Sequence, residues 1–537
     1  MNETVQDFTH SSPATGRAGA APQPDVIVIG GGGAGLAAAI EAASVGRRVL
    51  LLEKAAQLGG TTALSIGSIS ATASPHQIAR GIKDAPADHF EDMAKFAAHL
   101  KATDNDDLRR VLTGEVPTTL RWLMGLGVEF FGPMSEPPHR RPRMHNVVPN
   151  SRAYIAHCAR RARRLGVDIR VNVRATGFIV EGGRVCGVRA TLASGEAVEF
   201  RASGAVVLAS GDYSASPVLK RDFISPVAAT IQPVNVNSTG DGHRMAIDIG
   251  ARVLNSHLAH IGLRFIPPPR SSLAQMLPAS RLLARLIRMA MQRLPMALLR
   301  PFLMRFLVTV MEPAPNLFAA GAILIGSNGE LVADWNDDRM ATLATRDDHQ
   351  GYILFDAAIA AAFESWPNYI STAPGIAYAY VSDYRRNRTD LFHSAPTLEA
   401  VAAQLGIAGK TIGAAVEAVN ARREGAGDGV PKPLSQGPFY LLGPAQLFIT
   451  FTDGGLAVDI SHRVLGAGGT PIPGLYAAGS AGQGGLLLEG HGHHLGWAFT
   501  SGRRAGRNAA FESVSPPAME GVGRGTRSVP RHPPGVR

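Results

Sequence analysis

The stretch from Asp25 to Glu53 constrains this chain more than any other part of it. Asp25-Val-Ile-Val-Ile29 is an unbroken apolar run, as expected of a parallel strand covered on both faces. Gly30-Gly-Gly-Gly-Ala-Gly35 follows, and Leu36 to Val45 then carries apolar residues at helical spacing. Gly46 stops that helix, and Arg48 to Leu52 predicts a second strand ending on Glu53. Strand, glycine turn, helix and strand in this order make a βαβ unit. Gly30 allows the tight turn, Gly32 lets a pyrophosphate approach the backbone, and Gly35 lets helix and strand pack closely. The helix N-terminus offers free N–H groups and the favourable end of its dipole to phosphates. Glu53 stands where it can accept hydrogen bonds from a ribose diol. The pattern predicts a dinucleotide site without choosing between FAD and NAD.

The rest of the chain alternates in the same manner. Arg152 to Leu165 predicts a basic-faced helix, followed by strands at 168–173, 177–181 and 185–192, with Gly182-Gly183 as the hairpin turn. Ala205 to Gly211 repeats the buried strand and glycine turn. Residues 243–445 differ in composition, with helical stretches at 355–365 and 397–423. Strand and glycine-turn signals resume up to Gly474-Leu-Tyr-Ala-Ala-Gly479, and a last helix is expected near 495–510. The 537 residues are enough for two or three domains. The predicted architecture is α/β: a discontinuous Rossmann-like domain over 24–242 and 446–512, with an α+β capping domain inserted at 243–445. Residues 1–23 and 513–537, poor in apolar patterning, are expected to be disordered.

Charge and cysteine content exclude several classes. The formal net charge is +10, but 281–311 alone holds six arginines and no acid, and 513–537 adds four arginines against Glu520. The body is therefore near neutral, which argues against a nucleic-acid-binding face. Cys158 and Cys186 are the only cysteines, and no CxxC occurs. A disulfide framework, a zinc site and an attached haem are not expected. Residues 1–23 carry no signal-sequence pattern, so a cytoplasmic location is expected.

Beyond the glycine loop, Lys54-Ala-Ala-Gln-Leu-Gly-Gly-Thr-Thr62, Ala209-Ser-Gly-Asp212, Ser238-Thr-Gly-Asp-Gly242, Pro473 to Ser480, Leu495-Gly496 and Gly502-Arg-Arg-Ala-Gly506 recur in one order. On these motifs the chain resembles the fumarate reductase and 3-ketosteroid Δ1-dehydrogenase flavoproteins over about 25–510. The resemblance implies non-covalent FAD. Gly30, Gly32, Gly33, Ala34, Gly35, Glu53 and Lys54 would hold its ADP half, and Gly60, Thr61 and Thr62 the pyrophosphate and ribityl chain. Asp241, Gly479, Ser480, Leu495 and Gly496 would sit around the flavin. Ser480 departs from the Glu more common in the family. The resemblance also implies that substrate lies between cap and isoalloxazine. A hydride would pass between flavin N5 and a carbon–carbon bond beside a carbonyl.

The departures narrow the substrate. On the same resemblance, the two histidines of fumarate reductases would fall at Asn235 and near Phe451, and the carboxylate-clamping arginine at His494. All three are missing, and only the proton-donating arginine finds a counterpart, at Arg339. A small dicarboxylate needs cationic recognition to offset its desolvation. The steroid enzymes' tyrosine position reads Leu488, which leaves Tyr352, Tyr378, Tyr380 and Tyr440 of the cap as other bases. The expected function is desaturation of a hydrophobic ketone, with reduction of an enoate or enone as the alternative and a non-catalytic flavin-binding membrane-associated module as the second. Electrons are expected to move through a separate carrier or quinone. In Gly490-His-Gly-His-His-Leu-Gly496, His493 and His494 are candidate acid/base or substrate-binding groups; no metal is expected. Within a basic, apolar insertion at 264–312, the arginines at 281, 285 and 288 share one helical face. Two readings stay open for 281–311: peripheral contact with anionic lipid at the inner face of the membrane, or helices covering an apolar substrate mouth.

Overall fold

A computed structural model describes residues 23–512, except 101, 268–276, 296–297, 301–303, 305–311, 374–376 and 426. The two terminal segments expected to be disordered, apart from Gln23, and most of 296–311 lie outside the described residues.

The apolar run Val26–Ile29 is the centre of a six-stranded sheet. The strand order is Arg463–Leu465, Pro471–Ala477, Ala205–Leu208, Val26–Ile29, Val49–Leu52 and Asp168–Arg170, parallel except for the first strand. Val28 sits between Val207 and Leu51, and all three are fully buried. Two helices, Gly33–Ser44 and His493–Ala510, cross against each other on one face of this sheet. Their contact needs glycine: a Cβ on Gly502 would stand 2.3 Å from the Ala34 carbonyl oxygen, and one on Gly506 2.1 Å from that of Ala38. Arg503 and Arg507 then reach Glu41 from the same helix, at 2.7 and 2.9 Å.

A second core is built on the 14-residue strand Phe439–Thr452. It pairs with Gln232–Pro233, Ala259–Phe265, Gln350–Phe355 and Phe392–Ala395, while Ile323–Gly326 and Leu331–Ala333 extend the sheet. The chain enters this core at Ala228 and Ile231, returns to the first at Met245 and Ala246, and leaves the second for good after Ile449. The architecture is thus α/β with an inserted α+β unit. The expected division at 445/446 falls inside one continuous strand. The single helical stretch expected over 397–423 is two helices, Leu398–Ala403 and Gly409–Arg423, because Gly406 turns left-handed (φ +70°) between them.

The shared arginine face expected within 281–311 is on a helix, and that face is turned toward the body of the protein. Arg281–Arg293 is helical, and Arg281, Arg285 and Arg288 all turn inward onto Glu129, with Nε–Oε distances of 3.5, 2.9 and 3.2 Å. It packs on the strands Glu129–Met134 and Met144–Val148. Among the described residues no helix is long and apolar enough to cross a membrane.

Candidate functional site

The glycine loop leads into an open cleft lined by Gly30 to Ala34, Glu53, Lys54, Thr61, Asp241 and Ser480. Its glycines divide their work by position. Gly30 has φ +108°, and a Cβ there would stand 2.3 Å from the Ala209 carbonyl oxygen. A Cβ on Gly35 would stand 1.8 Å from the Gly30 carbonyl oxygen, so this residue serves packing and does not line the cleft. Gly32 is extended (φ −79°, ψ −171°), and a Cβ there meets nothing closer than 3.8 Å. Its open side faces the cleft, beside a helix N-terminus that no side chain caps.

Polar groups around the cleft are arranged by long-range contacts. Glu53, buried at the end of its strand, accepts the Gly31 N–H (2.7 Å) and the Ala55 N–H (2.8 Å). Each carboxylate oxygen keeps a second lone pair for a ribose hydroxyl. Lys54 Nζ lies 2.7 Å from Asp241, which also meets Arg174 (2.7 Å) and Arg244 (2.6 Å). Burial pushes the Asp241 carboxyl up, but the hydrogen bonds from Lys54 and Arg174 outweigh it and hold it well below the usual carboxylate range. Asn235 Nδ2 donates to Thr61 Oγ1 (2.9 Å) inside this cleft, so the position where a substrate histidine was expected is a cofactor-side residue. Ser210 Oγ is buried without a partner on the cleft wall. Such an orphaned group calls for a ligand or water. An open glycine face, an uncapped helix N-terminus, a buried acid and flanking cations together fit FAD.

Of the expected cofactor residues, Gly30, Gly32, Gly33, Ala34, Glu53, Lys54, Gly60, Thr61, Thr62, Asp241, Gly479 and Ser480 line the cleft. Leu495 and Gly496 do not: Leu495 joins the core, and Gly496 faces Val116 and Leu112. Arg174, Asn237 and the orphaned Ser210 line it although none was singled out as a site residue. The Ala209-Ser-Gly motif was the signal for Ser210; nothing local marks Arg174.

The histidine loop splits. His494 is partly exposed; its Nε2 has no hydrogen-bond partner and lies 3.6 Å from Asp453 Oδ1. Gln483 holds that carboxylate oxygen through an N–H at 2.9 Å. The His494 ring lies on Phe451 (4.1 Å between centroids), and Phe451 stacks on His260 (5.2 Å, 17°). His260 Nε2 is 3.8 Å from Glu312 Oε1. The Glu312 interaction raises the His260 pKa against its burial, and the charges of Glu489 and Asp453 add to it. These groups join the two cores, since His260 and Phe451 belong to the inserted unit's sheet. Sequence reading missed His260 and Glu312, which lie far apart along the chain with no motif around either.

His493 points the other way. It is 1 % exposed, and its Nε2 lies 3.1 Å from His89 Nε2 in a buried group with His139, the three ring nitrogens within 4.8 Å of one another. A metal needs three lone pairs at such a site. Arg143 donates to His139 Nδ1 (2.9 Å), which puts the ring proton on Nε2 and presents a donor instead. His491 pairs with Glu136 at 2.5 Å. Arg339 opens the helix Arg339–Ala344 beside the strands that carry His260 and Phe451; its guanidinium lies 4.2 Å above the Phe318 ring. Among the described residues no carboxylate is within ion-pair distance of it. Tyr378 packs on Trp366 and Tyr369, Tyr440 on Phe355, and Tyr380 under Arg300, so these tyrosines serve aromatic clusters.

Comparison with known proteins gives a family match: the model described as an FAD binding domain matches residues 25–487. The chain is 25% identical over 511 residues to NADH:fumarate oxidoreductase of Klebsiella pneumoniae, covering 92% of this chain and 47% of that protein. It is 26% identical over 515 residues to vinyl phenol reductase of Lactiplantibacillus plantarum, covering 90% and 96%. It therefore spans about half of the first relative and nearly all of the second. In fold it is similar to 3-ketosteroid Δ1-dehydrogenase from Sterolibacterium denitrificans, with TM-score 0.62 and 18% identity over 91% of this chain and 99% of that one.

Proposed function

This chain belongs to the FAD binding domain family and is an FAD-dependent oxidoreductase, and we propose that it desaturates a neutral, hydrophobic ketone beside its carbonyl. The observation that carries this reading is the unpartnered Nε2 of His494, set between Phe451 and Asp453 where the two cores meet. When bound, FAD supplies the two-electron chemistry, taking up or releasing a hydride. Gly32 and the helix N-terminus would receive its pyrophosphate, Glu53 its ribose, and Lys54 and Arg174 its charge. His494 would polarise the substrate carbonyl or carry the neighbouring proton through its Nε2. Phe451 offers a flat apolar face to a ring. Arg339 stays a candidate proton donor from the inserted unit, one that must leave Phe318 to act.

The charges around His494 favour a neutral substrate. Asp453, Glu489, Glu312 and Glu136 gather near the mouth, against Arg264, His260 and His491. The two histidines are already paired with Glu312 and Glu136, so a dicarboxylate would have to compete for them. Reduction of an activated alkene is the second reading, supported by vinyl phenol reductase, a relative that the chain spans nearly end to end. The test is anaerobic flavin absorbance on the purified enzyme against cyclic ketones, steroids, vinyl phenols and enoates. Bleaching by a ketone supports the first reading, and reoxidation of reduced enzyme by an alkene the second. His494→Ala should keep the flavin spectrum and lose turnover by roughly 100-fold or more, the range of a removed acid/base group. Full turnover in that variant would end the assignment.

A further inference from the structure

The inward turn of the arginines on helix Arg281–Arg293 has a consequence for its other face. Leu282, Leu286 and Met289 follow one another at four- and three-residue spacing and are 70%, 53% and 41% exposed. Leu294 and Leu298 continue the exposed apolar surface. An apolar stripe left in water on a helix held to the body through Glu129 needs an occupant. The rim around it is basic. Helix Arg152–Arg164 exposes Arg160, Arg161, Arg163 and Arg164 and contains no acid. Its Arg160 and the Arg281 of the apolar helix both act electrostatically on His157. Arg281 and Arg285 keep about half of their side-chain surface in solvent even while paired with Glu129.

We propose that this surface seats on an anionic lipid bilayer, the Leu282–Leu286–Met289 stripe entering the headgroup boundary and the arginine rim meeting lipid phosphates. Two copies of the chain would serve the stripe less well. A two-fold contact through it would bring one arginine rim against the other with no acid on either helix to compensate. A bilayer offers both partners at once, hydrocarbon for the leucines and anionic phosphate for the guanidiniums. The proposal does not depend on what the flavin oxidises.

The test is flotation of the full-length holoenzyme with vesicles, either pure phosphatidylcholine or containing about 30% phosphatidylglycerol. Wild type should float with the anionic vesicles, much less with the neutral ones, and less again at high salt. The variant Leu282→Ser/Leu286→Ser/Met289→Ser changes exposed residues only and should keep its flavin absorbance and turnover. Its partitioning should fall about tenfold or more, and Arg160→Glu/Arg164→Glu should weaken binding to anionic vesicles selectively. The proposal is overturned if wild type ignores anionic vesicles or if the triple variant floats equally well. It is also overturned if the stripe instead supports a concentration-dependent dimer that the triple variant abolishes.

Discussion

Two alanine substitutions three residues apart, Gly32→Ala and Gly35→Ala, should separate binding of FAD from stability of the fold. Gly32 has backbone angles that any residue adopts, and an added methyl meets no protein atom within 3.8 Å. The folded apoprotein should therefore lose no more than about 0.5 kcal/mol, the usual range for a site without a steric partner. That methyl, however, fills the space through which a pyrophosphate reaches the helix N–H groups. Losing one or two charge-assisted hydrogen bonds at about 1.5–3 kcal/mol each weakens FAD by roughly 10- to 10,000-fold. At Gly35 the methyl would stand 1.8 Å from the Gly30 carbonyl oxygen, so strand and helix must part. Overpacking against backbone costs about 1–3 kcal/mol or more before any cofactor is added. Thermal denaturation of flavin-free protein and titration with FAD, followed by flavin fluorescence, measure the two effects separately. Wild-type FAD affinity in Gly32→Ala, or equal apoprotein melting in both variants, would refute the division of labour.

Lys54→Met should weaken FAD about tenfold at low salt and less at high salt, because Asp241 keeps Arg174 and Arg244 while the cofactor loses one cation; titration at two ionic strengths checks it. Arg143 is fully buried between Asp84 and Asp92, both also without exposure. Arg143→Leu leaves Asp84 without its cation, while Asp92 keeps Lys95 and Arg140, and should cost about 3–5 kcal/mol in urea unfolding, a loss under about 1 kcal/mol being incompatible with that role. Burial draws His139, His145 and His462 down to about 3 and His243 and His493 to about 4. The unfolded chain then takes up protons from about pH 6.5 downward that the folded chain refuses, so stability is full above that pH and falls below it. A melting temperature unchanged between pH 7.5 and 5 would contradict these burials.

The parts of this molecule that the sequence displays are those in which neighbours in the chain act together. The Val26–Ile29 strand, its glycine turn and Glu53 lie within one βαβ unit, so spacing alone carried the cofactor cleft. Where partners are distant, spacing is silent. Arg174 reaches Asp241 across 67 residues, and Arg285 finds Glu129 across 156; neither could be paired by inspection. His493 and His494 illustrate the same limit on the scale of one residue. Adjacent helical positions diverge by about 100°, so one ring must turn toward the core when the other turns toward the domain contact. Which one turns inward depends on His89 and His139, neither of them in the loop.

The placement of charge ties these observations together. Lys54 and Arg174 line the cleft and, with Arg244 outside it, share Asp241, so the phosphates of a dinucleotide would meet cations there. Around His494 the carboxylates Asp453, Glu312 and Glu489 face Arg264, His260 and His491, and the two histidines are already engaged by Glu312 and Glu136. An anionic substrate would have to displace those carboxylates. A neutral ketone or aryl alkene resting on Phe451 needs no counter-charge, only a hydrogen-bonding group at one end, and the free Nε2 of His494 offers it. Replacing Asp453 by Asn removes a negative charge 3.6 Å from that Nε2, one that would stabilise an imidazolium formed during proton transfer, and should lower turnover of a neutral substrate. If the acidic mouth is what keeps carboxylates out, the same substitution should raise the acceptance of a carboxylate-bearing analogue relative to the neutral one. A ratio of kcat/KM values that stays fixed, or moves the other way, would remove electrostatic exclusion as the basis of substrate choice.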